Sequence, residues 1–257
     1  MRYVVSVVSC GLWLSAGALG WGSLVASYPS PAEDPDGVGY ISTSYMCVST
    51  NTADRVWRIN RSNGSVVASF PAPNVGTAGC DFGTIGTTSY IWVASAYSDH
   101  IYRMGWNSGS IYSSFPSPGA YPWGIAFRDA GATDYLYHTD RNTHYLYRMN
   151  AANGSIYGSS YLSFEPFDLA WDPDHTCLWI AGVPSVFPYI FQTTTTGSIL
   201  ASFRGPSNSL AYGLAYDPVS DRVWAGIGGS VNRLNVYEIG GVGVTPASLG
   251  RVKALLR

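Results

Sequence analysis

Hydrophobic and polar positions along this chain alternate in short runs. One stretch reads Trp123-Gly124-Ile125-Ala126-Phe127, then Asp134-Tyr135-Leu136-Tyr137-His138-Thr139, then His144-Tyr145-Leu146-Tyr147-Arg148-Met149, then Gly154 to Tyr161. Such runs are rich in aromatic and β-branched residues and are bounded by turn formers, which is the pattern of strands. Apolar stripes with the helical period of 3.6 are absent outside the two ends of the chain.

The four runs belong to a larger repeat. Gly22-Ser23-Leu24-Val25-Ala26-Ser27-Tyr28-Pro29 returns as Gly64 to Pro71, Gly109 to Pro116, Gly154 to Tyr157 and Gly197 to Phe203, in Gly-to-Gly steps of 42, 45, 45 and 43 residues. A period of this length with four strands per period predicts a β-propeller, because each unit buries its faces only against its neighbours. Four full periods follow Gly22, and a fifth begins at Tyr212 and lacks its last strand. Gly22–Tyr28 is the orphan that supplies it. The expectation is an all-β fold, a five-bladed propeller with four antiparallel strands per blade, closed by the N-terminal strand and so free of an open seam. Pro-spaced links such as Phe70-Pro71-Ala72-Pro73 and Phe115-Pro116-Ser117-Pro118 end the outer strands. Asn63-Gly64 and Asn153-Gly154 read as tight hairpin turns.

Composition narrows the function classes. Of 257 residues, 46% are hydrophobic and only 12% charged, ample for a large core. Net charge is −2 and Lys253 is the single lysine, so no basic stripe is offered to nucleic acid. Residues 1–20 read as a secretory signal: Arg2, an apolar run from Tyr3 to Leu14, then small residues at Ala16-Gly17-Ala18. This predicts a secreted or cell-surface protein without stable membrane insertion after cleavage. The propeller is assigned to 21–240 and a basic, apolar tail to 241–257.

The pattern aromatic-Gly-[Ile/Leu]-Ala-aromatic, then Asp-Pro, then Leu-Trp or Val-Trp, then Tyr-Arg, resembles the NHL and YVTN-type propeller repeats of secreted bacterial proteins. Trp123–Phe127, Phe167–Trp171 with Asp172-Pro173, and Tyr212–Tyr216 with Asp217-Pro218 carry the resemblance. Blades 1 and 2 depart from it at Asp36–Tyr40 and Ala78–Phe82. The resemblance implies a propeller over residues 22–240 and leaves the activity open, since such folds host many functions.

Candidate chemistry lies in three groups. Cys47 and Cys80 occupy facing slots of adjacent blades, which suggests a disulfide, with two small buried hydrophobes as the alternative; Cys177 reads as a buried thiol. Asp36, Asp81 and Asp168 lie on inner strands and are the catalytic candidates if the protein is a glycoside-active enzyme. Turn segments such as Asp172-Pro173-Asp174-His175 read as backbone caps rather than ligands. No metal site or cofactor is expected. The face carrying the links between blades and the turns between second and third strands gathers Tyr121, Trp123, Phe167, Tyr212, Asp140 and His144, with Arg141 in the same turn as Asp140 and His144. Aromatic faces beside polar groups suit a carbohydrate or protein ligand. The reading is a monomeric, non-catalytic binding module. The glycoside-active enzyme and a structural cell-surface repeat protein are the alternatives.

Overall fold

A computed structural model describes residues 21–205 and 209–239. The expected signal at 1–20 and tail at 241–257 lie outside the described residues. Strand β1 (Leu24–Pro29) comes first. Blade 1 is β2 (Pro35–Tyr40), β3 (Tyr45–Thr50), β4 (Arg55–Asn60) and β5 (Val66–Pro71). Blade 2 is β6 (Thr77–Ile85), β7 (Thr88–Ser95), β8 (His100–Gly105) and β9 (Ile111–Pro116). Blade 3 is β10 (Pro122–Arg128), β11 (Tyr135–Asp140), β12 (Tyr145–Asn150) and β13 (Ile156–Tyr161). Blade 4 is β14 (Glu165–Asp172), β15 (Cys177–Val183), β16 (Tyr189–Thr193) and β17 (Ile199–Arg204). Blade 5 is β18 (Ala211–Asp217), β19 (Arg222–Ile227) and β20 (Arg233–Glu238), completed on its outer side by β1 in the order β1-β20-β19-β18. The five four-stranded sheets and their closure by the N-terminal strand match the repeat count.

Closure is antiparallel, with Tyr28 opposite Leu234. The Tyr28 ring stacks on Trp224, centroids 5.4 Å apart at 14°, and Arg233 donates to the Ser27 hydroxyl and carbonyl at 2.9 Å. Arg61 of blade 1 pairs with Asp217 of blade 5 at 2.7 Å, across the seam between the first and last blades.

The core lies between blades. Large residues on a second strand stack on the last aromatic of the next inner strand: Trp92 on Phe127 at 10°, and Tyr137 on Trp171 at 15°. Cys47 holds the corresponding slot in blade 1 and is fully buried.

The register of every inner strand with its second strand breaks near its start, between Pro35 and Gly37, Thr77 and Cys80, Pro122 and Ile125, Pro166 and Leu169, and Ala211 and Gly213. A bulge inserts an extra residue and re-aims side chains. Five bulges at one level turn that level of the ring toward the axis.

Candidate functional site

At the equivalent position beside each bulge, four of the five blades carry glycine: Gly37, Gly79, Gly124 and Gly213. The remaining one carries Asp168. The glycines let the inner strands close together, and a Cβ on Gly79 would sit 2.5 Å from the Trp123 carbonyl oxygen and 2.6 Å from Asp168 Oδ1. Asp168 fills the space they leave. Its Oδ2 accepts from the amides of Leu214 at 2.8 Å and Val38 at 3.2 Å, and its Oδ1 accepts from Ile125 at 3.1 Å. One carboxylate in blade 4 thus binds the inner strands of blades 5, 1 and 3. Burial pushes its pKa well up while the three amides pull it down. Asp168 is fully buried and serves as an axial plug.

The plug separates two ends of the axis. On the link face Trp123, Phe167 and Tyr212 converge as expected, with ring centroids 5.9, 6.0 and 5.2 Å apart pairwise, and Tyr121 packs on Trp123 at 5.8 Å. They do not form an open platform, since Trp123 is 3% and Phe167 1% exposed. Arg141, at the β11–β12 turn, covers them. Its guanidinium lies 4.7 Å from the ring centroids of both Trp123 and Phe167, and its Nε donates to Glu165 Oε1 at 2.6 Å. Sequence reasoning placed Arg141 on this face but gave it no role, because its partners come from two blades. Beside this group Asp36 is buried, its Oδ2 accepting from the Asn51 amide at 2.8 Å. Burial pushes its pKa up to about 8, against the Asn51 amide and the more distant Arg141 charge. The indole Nε1 of Trp123 is buried without a hydrogen-bond partner.

Tyr212 also lines a neighbouring cavity of about 370 Å³ with Val186, Phe187, Pro188 and Leu210. Val186 is 73% exposed and Phe187 45%.

Two expected ligand residues have other duties. Asp140 is fully buried and accepts from the Tyr121 amide at 3.0 Å and from the Thr143 amide and hydroxyl. The Thr143 and Tyr121 donors outweigh burial and hold its pKa below the usual range. It positions the link that carries Tyr121. His144 has a positive φ of 61°, with Asp54 at 44° and Asp99 at 53° in the matching turns of blades 1 and 2, and stacks on Tyr161 of outer strand β13. It takes the left-handed turn position and stands outside the mouth.

At the opposite end, which carries the Asp-Pro turns, lies a cavity of about 230 Å³ lined by Asp81, Phe127, Trp171 and Tyr216 among others. Sequence reasoning took these turns as structural and missed it; the signal was the aromatic near the end of each inner strand, Tyr40, Phe82, Phe127, Trp171 and Tyr216. Asp81 Oδ2 accepts from the Phe127 amide at 2.8 Å. Burial raises its pKa to about 7, opposed by amides of Phe127, Phe82 and Tyr40. Asp36 and Asp81 differ by three ladder positions, roughly 10 Å at the usual strand rise, with the plug at the level between them. The three inner-strand acids therefore do not meet at one point.

Cys47 and Cys80 meet at the blade 1–2 interface, as their slots imply, but both are free thiols and the expected disulfide is not formed in this structure. Cys47 Sγ donates to the Gly39 carbonyl oxygen at 3.5 Å. Burial, then the adjacent Cys80, pushes its pKa well up, which suppresses the thiolate that disulfide formation needs. Cys177 is a buried thiol 3.4 Å from Gln192 Nε2.

No family model and no curated protein matches the chain. Solved structures do. A glutaminyl cyclase of Myxococcus xanthus aligns with a TM-score of 0.63 at 11% identity, over 86% of this chain and 97% of that one. A hydrazine synthase of Kuenenia stuttgartiensis gives 0.52 at 15% identity, over 77% and 57%. A chain of a mitotic checkpoint complex gives 0.50 at 10% identity, over 79% and 62%. At such identities the likeness concerns the fold alone, and the chain shares with these structures a β-propeller architecture.

Proposed function

We propose that the protein is an exported, monomeric, non-catalytic binding module of NHL or YVTN repeat type that holds a protein ligand on its link face. The observation that carries this reading is the meeting of an aromatic mouth with an exposed apolar cavity, joined through Tyr212. Exposed apolar groups gathered beside a cavity mark interaction surfaces. A carbohydrate ligand needs open aromatic faces, whereas Trp123 and Phe167 are covered and the exposed neighbours are Val186 and Phe187. Protein is therefore the better fit of the two expected ligand classes.

The test is a binding screen of exported proteins and glycans with the wild type, Tyr212→Ala and Trp171→Ala. The expected result is a protein partner lost with Tyr212→Ala and kept with Trp171→Ala. Loss only with Trp171→Ala would move the function to the opposite end of the axis.

One observation favours a second reading, the glycoside-active enzyme: Asp81, titrating near neutrality, lines a cavity. Turnover of any glycoside that disappears in Asp81→Asn would establish it in place of the binding role.

A further inference from the structure

Arg141 is a cation seated on an aromatic floor. Its guanidinium lies over two rings supplied by different blades, Trp123 from β10 and Phe167 from β14. Tyr121 and Tyr212 pack around Trp123. Glu165 Oε1 accepts from Arg141 Nε at 2.6 Å, and Trp123 Nε1 remains unpartnered. Aromatic faces ringed about a point with an acid nearby are what recognises an organic cation. The chain seats its own guanidinium there.

The latch holding Arg141 is weak. Glu165, its one ion-pair partner among the described residues, is 36% exposed at the side chain and Arg141 itself 28%. Exposed pairs of this kind contribute little. Arg141 also sits on a turn rather than within a strand, between β11 and β12.

We propose that this mouth is a binding site for the guanidinium of a peptide arginine, occupied at rest by Arg141 as an internal surrogate, with an apolar residue of the same peptide entering the Val186–Phe187–Leu210 cavity. The inference rests on the link-face reading and names its ligand. The floor is carried by the inner strands β10 and β14, and Tyr212 belongs to both subsites, so the two ligand side chains must be near neighbours in sequence. An internal competitor scales apparent affinity by the fraction of time it leaves the site free.

Two hexapeptides test it: acetyl-Gly-Ala-Arg-Leu-Ala-Gly-amide and its analogue with citrulline, the neutral isostere, in place of arginine. Binding to wild type and to Arg141→Ala is measured by calorimetry. The arginine peptide is expected to bind about tenfold more tightly than the citrulline peptide, and about tenfold more tightly to Arg141→Ala than to wild type. Equal binding of the two peptides, or no gain on removing Arg141, overturns the proposal. If Arg141→Ala does not fold, competition on the wild type decides: methylguanidinium should displace the arginine peptide and methylurea should not, and equal competition overturns the proposal. A protein partner lost in Tyr212→Ala, found together with indifference to arginine and citrulline, would leave the link-face reading standing and remove this inference. Absence of both would remove both.

Discussion

At the narrowest ring of the propeller, four glycines and one aspartate share a ladder position, and the aspartate satisfies amides from three other blades. Inner strands carry a row of backbone N–H groups on their axial side, and buried donors without partners cost about 1–3 kcal/mol each. Asp168→Ala should therefore destabilise by about 3–5 kcal/mol in urea unfolding, and Asp168→Asn by about half of that. A loss under about 1 kcal/mol for the alanine would contradict the plug. His138 offers a second test at this scale. It is buried, with Nδ1 2.9 Å from the Gly124 carbonyl oxygen and Nε2 3.1 Å from Ser117 Oγ, stacked on Tyr147, with the Asp140 charge nearby. Nδ1–H donates to Gly124 and Nε2 accepts from Ser117, which is the neutral ring. Burial lowers its pKa to about 4, against 6.5 for the free side chain. Between those values the unfolded chain binds the extra proton, so the stability contribution is complete above about pH 6.5 and is lost as pH falls toward 4, at up to about 1.4 kcal/mol per pH unit. His138→Asn keeps a donor toward Gly124 and should lose less stability than wild type between pH 6.5 and 4.5. Parallel acid curves for the two proteins would reject this account.

At the scale of the strand, the repeat signature has an unexpected location. The residues after the first four Gly-Ser pairs lie on outer edge strands and are exposed, Leu24, Val66 and Val67, Ile111 and Tyr112, Ile156 and Tyr157, while Ile199 and Leu200 after the fifth are half-buried. Their period is the clearest feature of the sequence, yet it does not mark the core. What is kept there is the hairpin turn, where Gly64, Gly109, Gly154 and Gly197 all have φ between 69° and 81°, together with β-propensity on a strand paired on one side only. Edge strands with exposed β-branched residues invite pairing between molecules. Replacing Ile111 and Ile156 with lysine should change stability by less than about 0.5 kcal/mol each and should reduce self-association in concentrated solution, as light scattering would show. A large fall in Tm would mean that these side chains pack more tightly than their exposure indicates.

At the scale of the molecule, the ring holds only if its ends are joined. Trp21 packs on Trp179 and Phe203, and β1 pairs along the whole of β20. Removing residues 21–29 exposes the edge of β20 and these apolar contacts together. The expected fall in Tm is more than about 10 °C, given that 1 kcal/mol is worth about 2–4 °C in a chain of this size. An unchanged Tm would mean that closure adds little to blade-on-blade packing.

The division between what was legible in the sequence and what was not follows from the range of the interactions. Strand, turn and repeat are local, written in runs of five to eight residues and in Gly and Pro punctuation, so blade number, strand number and the closing role of the N-terminal segment could be read directly. The convergence of Trp123, Phe167 and Tyr212 was also legible, because equivalent positions of a repeat share a level of the ring. Interactions that differ from blade to blade were decided only by the tertiary structure. Asp168 looked like a catalytic candidate because a lone acid among glycines is conspicuous, but its meaning depends on amides 43, 46 and 130 residues away. Arg141 looked like a turn residue until rings from two blades came beneath it. Cys47 and Cys80 were rightly placed together, but the protonation of Cys47 depends on a buried environment that no spacing encodes. A repeat specifies its own average; the exceptions to that average acquire their chemistry from the neighbours that ring closure supplies.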